Sequence, residues 1–174
     1  MKKNILAITL SSCFVALSTQ ASTNSVTFAG TVTNVTCDTQ IETAGAIIPS
    51  QQINLGTVGL NKTGDAVTFK ILSVDPENGG PCTSATNGAT MLWTAANFDS
   101  NGLMNASGTA TDAYATILAK PSIGTNQAIT GPSPSVDFPA EDITTNGMSF
   151  EASLVGGAIP GTYTSVATYS IAYK

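Results

Sequence analysis

Polar and apolar residues alternate with period two along most of this chain, and no stretch sustains the spacing of an amphipathic helix. The cleanest run lies in residues 22–37. Val26, Phe28, Gly30 and Val32 fall on one side of an extended chain; Ser25, Thr27, Ala29, Thr31 and Thr33 fall on the other. Apart from Gly30 these are mostly β-branched or aromatic residues, which suit a pleated surface buried on one face. Pattern alone admits two readings: the first strand of a β-domain, or a strand made for another molecule.

Further runs predict strands at residues 52–58 (QINLGTV), 66–74 (AVTFKILSV), 89–95 (ATMLWTA), 112–119, 148–155 (MSFEASLV) and 162–174 (TYTSVATYSIAYK). In the second of these, Val67, Phe69, Ile71 and Ser73 share a face; in the last, Ala167, Tyr169, Ile171 and Tyr173 do. Residues 38–50 read as irregular. Gly, Pro, Asn, Asp and Ser mark turns at 61–65, 75–81, around Asn101-Gly102 and at 156–161, and a long region of loop and edge strand at 121–142. Several short strands separated by turns predict an antiparallel sandwich, with the lone Trp93 in its core. An immunoglobulin-type sandwich needs about seven strands. Here the last predicted strand is the final segment of the chain, so its outer edge is expected to be uncovered, while the opening stretch is surplus. A long apolar edge left open is an aggregation hazard unless something covers it.

The N-terminus changes the picture. Lys2 and Lys3 precede an apolar run at 5–17, and small polar residues at 18–21 fit signal cleavage after Ala21. The run is too short to span a bilayer. A lipoprotein box at Leu10-Ser11-Ser12-Cys13 is the rival reading; it would leave an apolar run of residues 5–10 alone, so Cys13 is read as an ordinary residue of the signal. Removal of residues 1–21 leaves Lys62, Lys70, Lys120 and Lys174 against all 11 acids, more negative than the −5 of the whole chain. Such a chain offers no electrostatic footprint for nucleic acid or anionic lipid. Cys37 and Cys82 then remain in an oxidising compartment, either bridged, which that compartment favours, or as two free thiols.

Candidate chemistry is sparse. The sequence contains no His, so no Ser-His-Asp or Cys-His arrangement can form. Asp75 with Glu77, and Glu141 with Asp142, are carboxylate pairs that could serve glycoside hydrolysis, but acids on Pro- and Asn-rich loops are expected to be solvated. Asn34, Asn61 and Asn105 lie in N-x-S/T triplets of the kind a Ser/Thr-rich chain contains by chance. No cofactor or metal is expected.

Four features together resemble the pilins of the chaperone–usher pathway, the type 1 and type 3 fimbrial shaft subunits. They are the stretch VTFAGTVTNVTC at 26–37, running apolar-x-Phe-x-Gly-x-apolar into the first cysteine; Asn54-Leu55-Gly56 and the strand leading to Cys82; the ending ATYSIAYK with penultimate Tyr173; and the signal peptide before a mature chain of this size. The loop DPENGGP ahead of Cys82 is longer than in type 1 pilins. The resemblance implies an all-β, incomplete immunoglobulin-like sandwich lacking its last strand and completed in trans by a donor strand. It implies a signal peptide at 1–21, a donor-strand extension at 22–33 and a pilin domain at 34–174. Val26, Phe28 and Val32 would be the donor's plugs, and Gly30 would sit where the groove leaves no room for a side chain. The acceptor groove and chaperone contact would include Ala167, Tyr169, Ile171, Tyr173 and Lys174, with the strand around 32–35 on the other side. Expected partners are neighbouring fimbrial subunits in a homopolymer, a periplasmic chaperone, an outer-membrane usher and, through many copies, a host receptor. The expected function is a structural subunit of a surface fimbria supporting adhesion. The alternative is a monomeric secreted β-sandwich that binds carbohydrate or a host protein.

Overall fold

The structure is a computed structural model and describes residues 37–174. The opening strand at 22–33, with Val26, Phe28, Gly30 and Val32, and the groove wall at 32–35 lie outside the described residues.

Among the described residues ten strands form two antiparallel sheets: β1 (Asp38–Thr43), β2 (Ala46–Ile47), β3 (Val67–Val74), β4 (Ala89–Thr94), β5 (Leu103–Met104), β6 (Tyr114–Ala119), β7 (Gln127–Ile129), β8 (Ser135–Phe138), β9 (Met148–Val155) and β10 (Thr168–Tyr173). One sheet runs β2-β1-β3-β9-β6-β5, with β7 also on β6; the other runs β10-β4-β8. The succession β1-β3-β9-β6 is the A-B-E-D order of an immunoglobulin sandwich, and β4 beside β10 is its C-F pair. The place of strand G, on the far side of β10, has no occupant among the described residues.

Alternation in the sequence becomes alternation of burial. In β3, Phe69, Ile71 and Ser73 are buried, and in β9 every second residue from Met148 to Leu154 is. Phe150 joins the two sheets. Its ring stacks on Phe69 of β3 at 5.2 Å and meets Trp93 of β4 and Phe138 of β8 edge-on, each at 5.4 Å. These are the geometries that aromatic quadrupoles favour over a face-to-face sandwich. Trp93 is therefore a core residue, as its mid-strand position suggests. The Cys37–Cys82 disulfide ties the entry of β1 to the loop that leaves β3, with Cα atoms 5.9 Å apart.

Four sequence expectations need correction. Residues 38–50 are not irregular: β1 pairs residue for residue with β3, from Asp38 opposite Val74 to Thr43 opposite Phe69. Its hairpin to β2 turns on Ala44 and Gly45, both at positive φ, the combination that matches the twist of the flanking strands. Residues 52–58 join no ladder, because Gly56 takes φ +73° and its amide donates to Asn54 Oδ1 at 2.9 Å, closing a side-chain turn where a strand would continue. The terminal strand is shorter than 162–174, for a reason given below. Region 121–142 is loop and edge strand as expected, with β7 at the edge beside β6 and β8 at the edge beside β4, and it leads into one helical turn, Asp142–Asn146. Asp142 is not solvated either: it is 2 % exposed and its Oδ2 accepts the Ser122 amide at 2.9 Å.

Candidate functional site: the open edge of β10

In an antiparallel pair, opposed residues alternate between those that exchange backbone hydrogen bonds and those that do not. The β10–β4 register places Tyr173 opposite Ala89, and one step further the Lys174 amide donates to the Gly88 carbonyl at 3.0 Å. Counting back by twos, Ala172, Ser170 and Thr168 turn their backbone groups toward β4. On the other side of β4, the Trp93 amide donates to Pro134 O at 2.9 Å, which fits the same phase. The N–H and C=O groups of Tyr169, Ile171 and Tyr173 therefore face away from β4, where no strand pairs with them among the described residues.

The same residues carry the inward side chains. Ala167, Tyr169, Ile171 and Tyr173 are half-buried against the core, while Thr168, Ser170 and Ala172 are exposed. Both tyrosines reach across to the other sheet. Tyr169 tilts against Trp93 at 5.4 Å and its hydroxyl pairs with Thr39 Oγ1 of β1 at 3.0 Å; the Tyr173 hydroxyl donates to Ser73 Oγ of β3 at 3.2 Å. Ser73, 3 % exposed, thus gains the partner that a buried hydroxyl requires. Burial pushes the Tyr173 phenol above its ordinary range. The Trp93 indole N–H, beside this edge, is the only buried side-chain polar atom without a partner among the described residues.

A second unladdered segment borders the same core cluster. In residues 52–58, Ile53 and Leu55 are half-buried against it and Gln52 and Asn54 are exposed, the alternation of a strand without a strand's pairing. Ile48 packs there as well. The core is thus flanked by an open strand edge on β10 and by an extended, unpaired segment. A chain laid along β10 in β-conformation would find backbone donors and acceptors at every second residue and apolar surface beneath.

Side chains hold the approach to β10 in place of a ladder. Asn105 uses its whole amide: Oδ1 accepts the Gly108 and Thr164 amides at 2.9 and 3.0 Å, and Nδ2 donates to Ala110 O and Thr162 O at 2.8 and 3.2 Å. The Ala106 and Ser107 amides donate to Thr164 O, and the Asp112 carboxylate accepts the Ala158 and Ile159 amides. A Cβ on Gly108 would collide with the Thr162 carbonyl. Thr162 and Thr164 are therefore bound to the 105–110 loop, and the strand begins only at Thr168. The Asn-x-Ser triplet at 105 gives no hint of this, because Thr162 and Thr164 lie more than fifty residues away.

Tyr163 completes this clamp by donating its hydroxyl to Leu103 O at 2.9 Å. Burial pushes its phenol up to about 12 from an ordinary 10. The neutral form is thus favoured in the folded state. Its contribution to stability is complete below pH 10 and is lost as pH rises toward 12. The expected result is a fall in stability across that window that Tyr163→Phe makes shallower, read by urea denaturation at stepped pH. An identical pH profile in the variant would remove Tyr163 from the clamp.

Lys174 stands apart from the four inward residues. Its side chain lies on the outer face, where its ammonium pairs with Asp137 of β8 at 2.8 Å. The hydrogen bonds from Lys174 and Thr90 hold the Asp137 carboxyl below the usual carboxylate range. Neither acidic pair builds a site: the Asp75 carboxylate is taken by its own loop, accepting from the Glu77 amide and the Asn78 side chain, each at 2.9 Å.

No protein-family model matches the chain. Its full length is 29 % identical to the full length of the F107 fimbrial protein of Escherichia coli. Among solved structures, it is similar to the crystal structure of the P pilus rod subunit PapA, with 13 % identity and a TM-score of 0.47 over 87 % of this chain and all of that one. A chaperone–usher pilus structure concerned with rod uncoiling gives 14 % identity and a TM-score of 0.44, over 91 % of this chain and all of that one. The two structural likenesses are too loose to place individual residues.

Proposed function

We propose that this chain is a structural subunit of a surface fimbria that polymerises head to tail, residues 22–33 of one subunit serving as the missing strand of the next. The observation that carries the reading is the edge of β10, where Tyr169, Ile171 and Tyr173 combine outward backbone groups with inward side chains. The full-length likeness to a fimbrial protein supports it.

The physics of strand addition fits both partners. Main-chain hydrogen bonds along the edge supply affinity, and alternate side chains supply register. Val26, Phe28 and Val32 are the apolar set of the donor, each contributing about 1.5–3 kcal/mol when fully buried. Such a contact is heterologous and does not close, so it generates a filament. An open edge is unsafe during export. A periplasmic chaperone therefore covers β10 first, and exchange for the next subunit's strand takes place at an outer-membrane usher. The chain is placed at the cell surface, after loss of residues 1–21, in a scaffolding role and not a catalytic one.

Gly30 gives the test. It interrupts the apolar face of the donor between Phe28 and Val32, where the absence of a side chain allows close approach of the two backbones. Gly30→Leu in the full chain is expected to lower the rate of polymerisation severely, seen as subunit retained in the chaperone complex by size-exclusion chromatography. Fibre yield equal to that of the native chain would remove the close approach at this position.

A further inference from the structure

The sequence holds four Asn-Gly pairs: Asn78-Gly79, Asn87-Gly88, Asn101-Gly102 and Asn146-Gly147. Each is a potential site of spontaneous deamidation, since asparagine is thermolabile and glycine leaves its own amide nitrogen open to the preceding side chain. The reaction needs two freedoms: the asparagine side chain must swing back, and the glycine nitrogen must be available as nucleophile. The fold withholds these from two pairs by hydrogen bonding. The Gly79 amide donates to Asp75 O at 2.8 Å, and Asn78 bonds through both ends of its side chain, to Asp75 and to Gly80. The Gly102 amide donates to Asp99 Oδ1 at 3.1 Å, and the Asn101 side chain donates to Asp99 Oδ2 at 3.2 Å. The third pair is restrained at the asparagine: Asn146 is half-buried, and its backbone carbonyl accepts from Lys70 Nζ.

Asn87 differs. Its side chain is exposed at the turn before β4; Gly88 itself is buried against the Phe138 carbonyl, but among the described residues neither the Asn87 side chain nor the Gly88 amide has a hydrogen-bond partner. We infer that Asn87 is the modification site of this protein, converting spontaneously to aspartate and isoaspartate ahead of the other three pairs. The Gly88 nitrogen attacks Asn87 Cγ, the new C–N bond closes a succinimide, and the side-chain nitrogen leaves as ammonia with the proton that Gly88 gives up. Water then opens the ring at either carbonyl, giving aspartate or isoaspartate.

The site matters because of what Gly88 holds. Its carbonyl accepts the Lys174 amide, the last backbone rung between β4 and the end of β10. Isoaspartate inserts an extra backbone carbon directly before Gly88, displacing that rung, and either product adds a negative charge beside it. Ageing of the folded protein thereby loosens the end of the strand whose other edge is open. The assignment of the site itself stands independently of the proposed function.

The full chain, incubated folded in mildly alkaline buffer, is followed by peptide mass mapping, with isoaspartate labelled by protein isoaspartyl methyltransferase. Asn87 is expected to convert several-fold faster than each of the other three asparagines. In urea the four should converge, because the protection at 78, 101 and 146 comes from the fold. Asn87→Gln should abolish the early event and leave the slower ones unchanged. First conversion at Asn78, Asn101 or Asn146, or early ammonia release undiminished in Asn87→Gln, overturns the assignment.

Discussion

Deletion of residues 22–30 is expected to abolish the proposed fibre formation while leaving the subunit able to bind the proposed chaperone. The two outcomes separate because they draw on different parts of the chain. In the proposed assembly, acceptance draws on the β10 edge and the half-buried Tyr169, Ile171 and Tyr173, which the deletion leaves intact. Donation requires an alternating strand with apolar side chains at every second position, and the deletion removes Val26, Phe28 and Gly30 together. Loss of two fully buried side chains costs about 3–6 kcal/mol of contact energy, and each 1.4 kcal/mol is a tenfold change in affinity, so the effect on polymer is all but complete. Co-purification with the chaperone and electron microscopy of surface fibres read the two functions separately. Fibres of normal length from the deleted subunit would mean that the donor strand lies elsewhere.

Replacing Cys37 and Cys82 together with alanine is the second large effect. The bridge spans a sequence separation of 45, and the chain entropy it removes from the unfolded state corresponds to about 4 kcal/mol. Cys82 is 1 % exposed and packs in the core, so lost burial adds to that figure. Since whole domains are stable by only about 5–15 kcal/mol, the double variant stands close to unfolding, and its yield in the periplasm should fall steeply. Urea denaturation with a saturating donor-strand peptide measures the difference. A loss under about 1 kcal/mol would show that the unfolded chain is already restrained in this region by other means.

Much of the sandwich can be read from alternation alone, because strands with one face in the core must alternate. β3, β9 and the inward set of β10 follow in this way from Phe69, Ile71, Met148, Phe150, Tyr169 and Ile171. β1 escapes because its apolar density is low. Asp38, Gln40 and Glu42 alternate with Thr39, Ile41 and Thr43, and only Ile41 is buried. What identifies it as a strand is six-residue pairing with β3, a long-range fact that no local pattern contains. The same limit applies at 162–167. The pattern there is that of a strand, and the half-buried and exposed positions do alternate, but the backbone at Thr162 and Thr164 is held by Asn105 and the 105–110 loop. The site is legible in part: the inward residues of β10 follow from periodicity, whereas the coincidence of their side chains with outward backbone groups depends on hydrogen-bond phase, which only the register fixes.

The packing of Trp93 on Tyr169 carries a practical consequence. The chain contains a single tryptophan, and it lies one strand in from the open edge with its ring against a residue of that edge. Anything that settles along β10, from a chaperone strand to a neighbouring subunit, alters the polarity and mobility around one indole and no other. Intrinsic fluorescence therefore watches the open edge directly, so that binding and release of whatever occupies it can be timed in solution on the unlabelled protein.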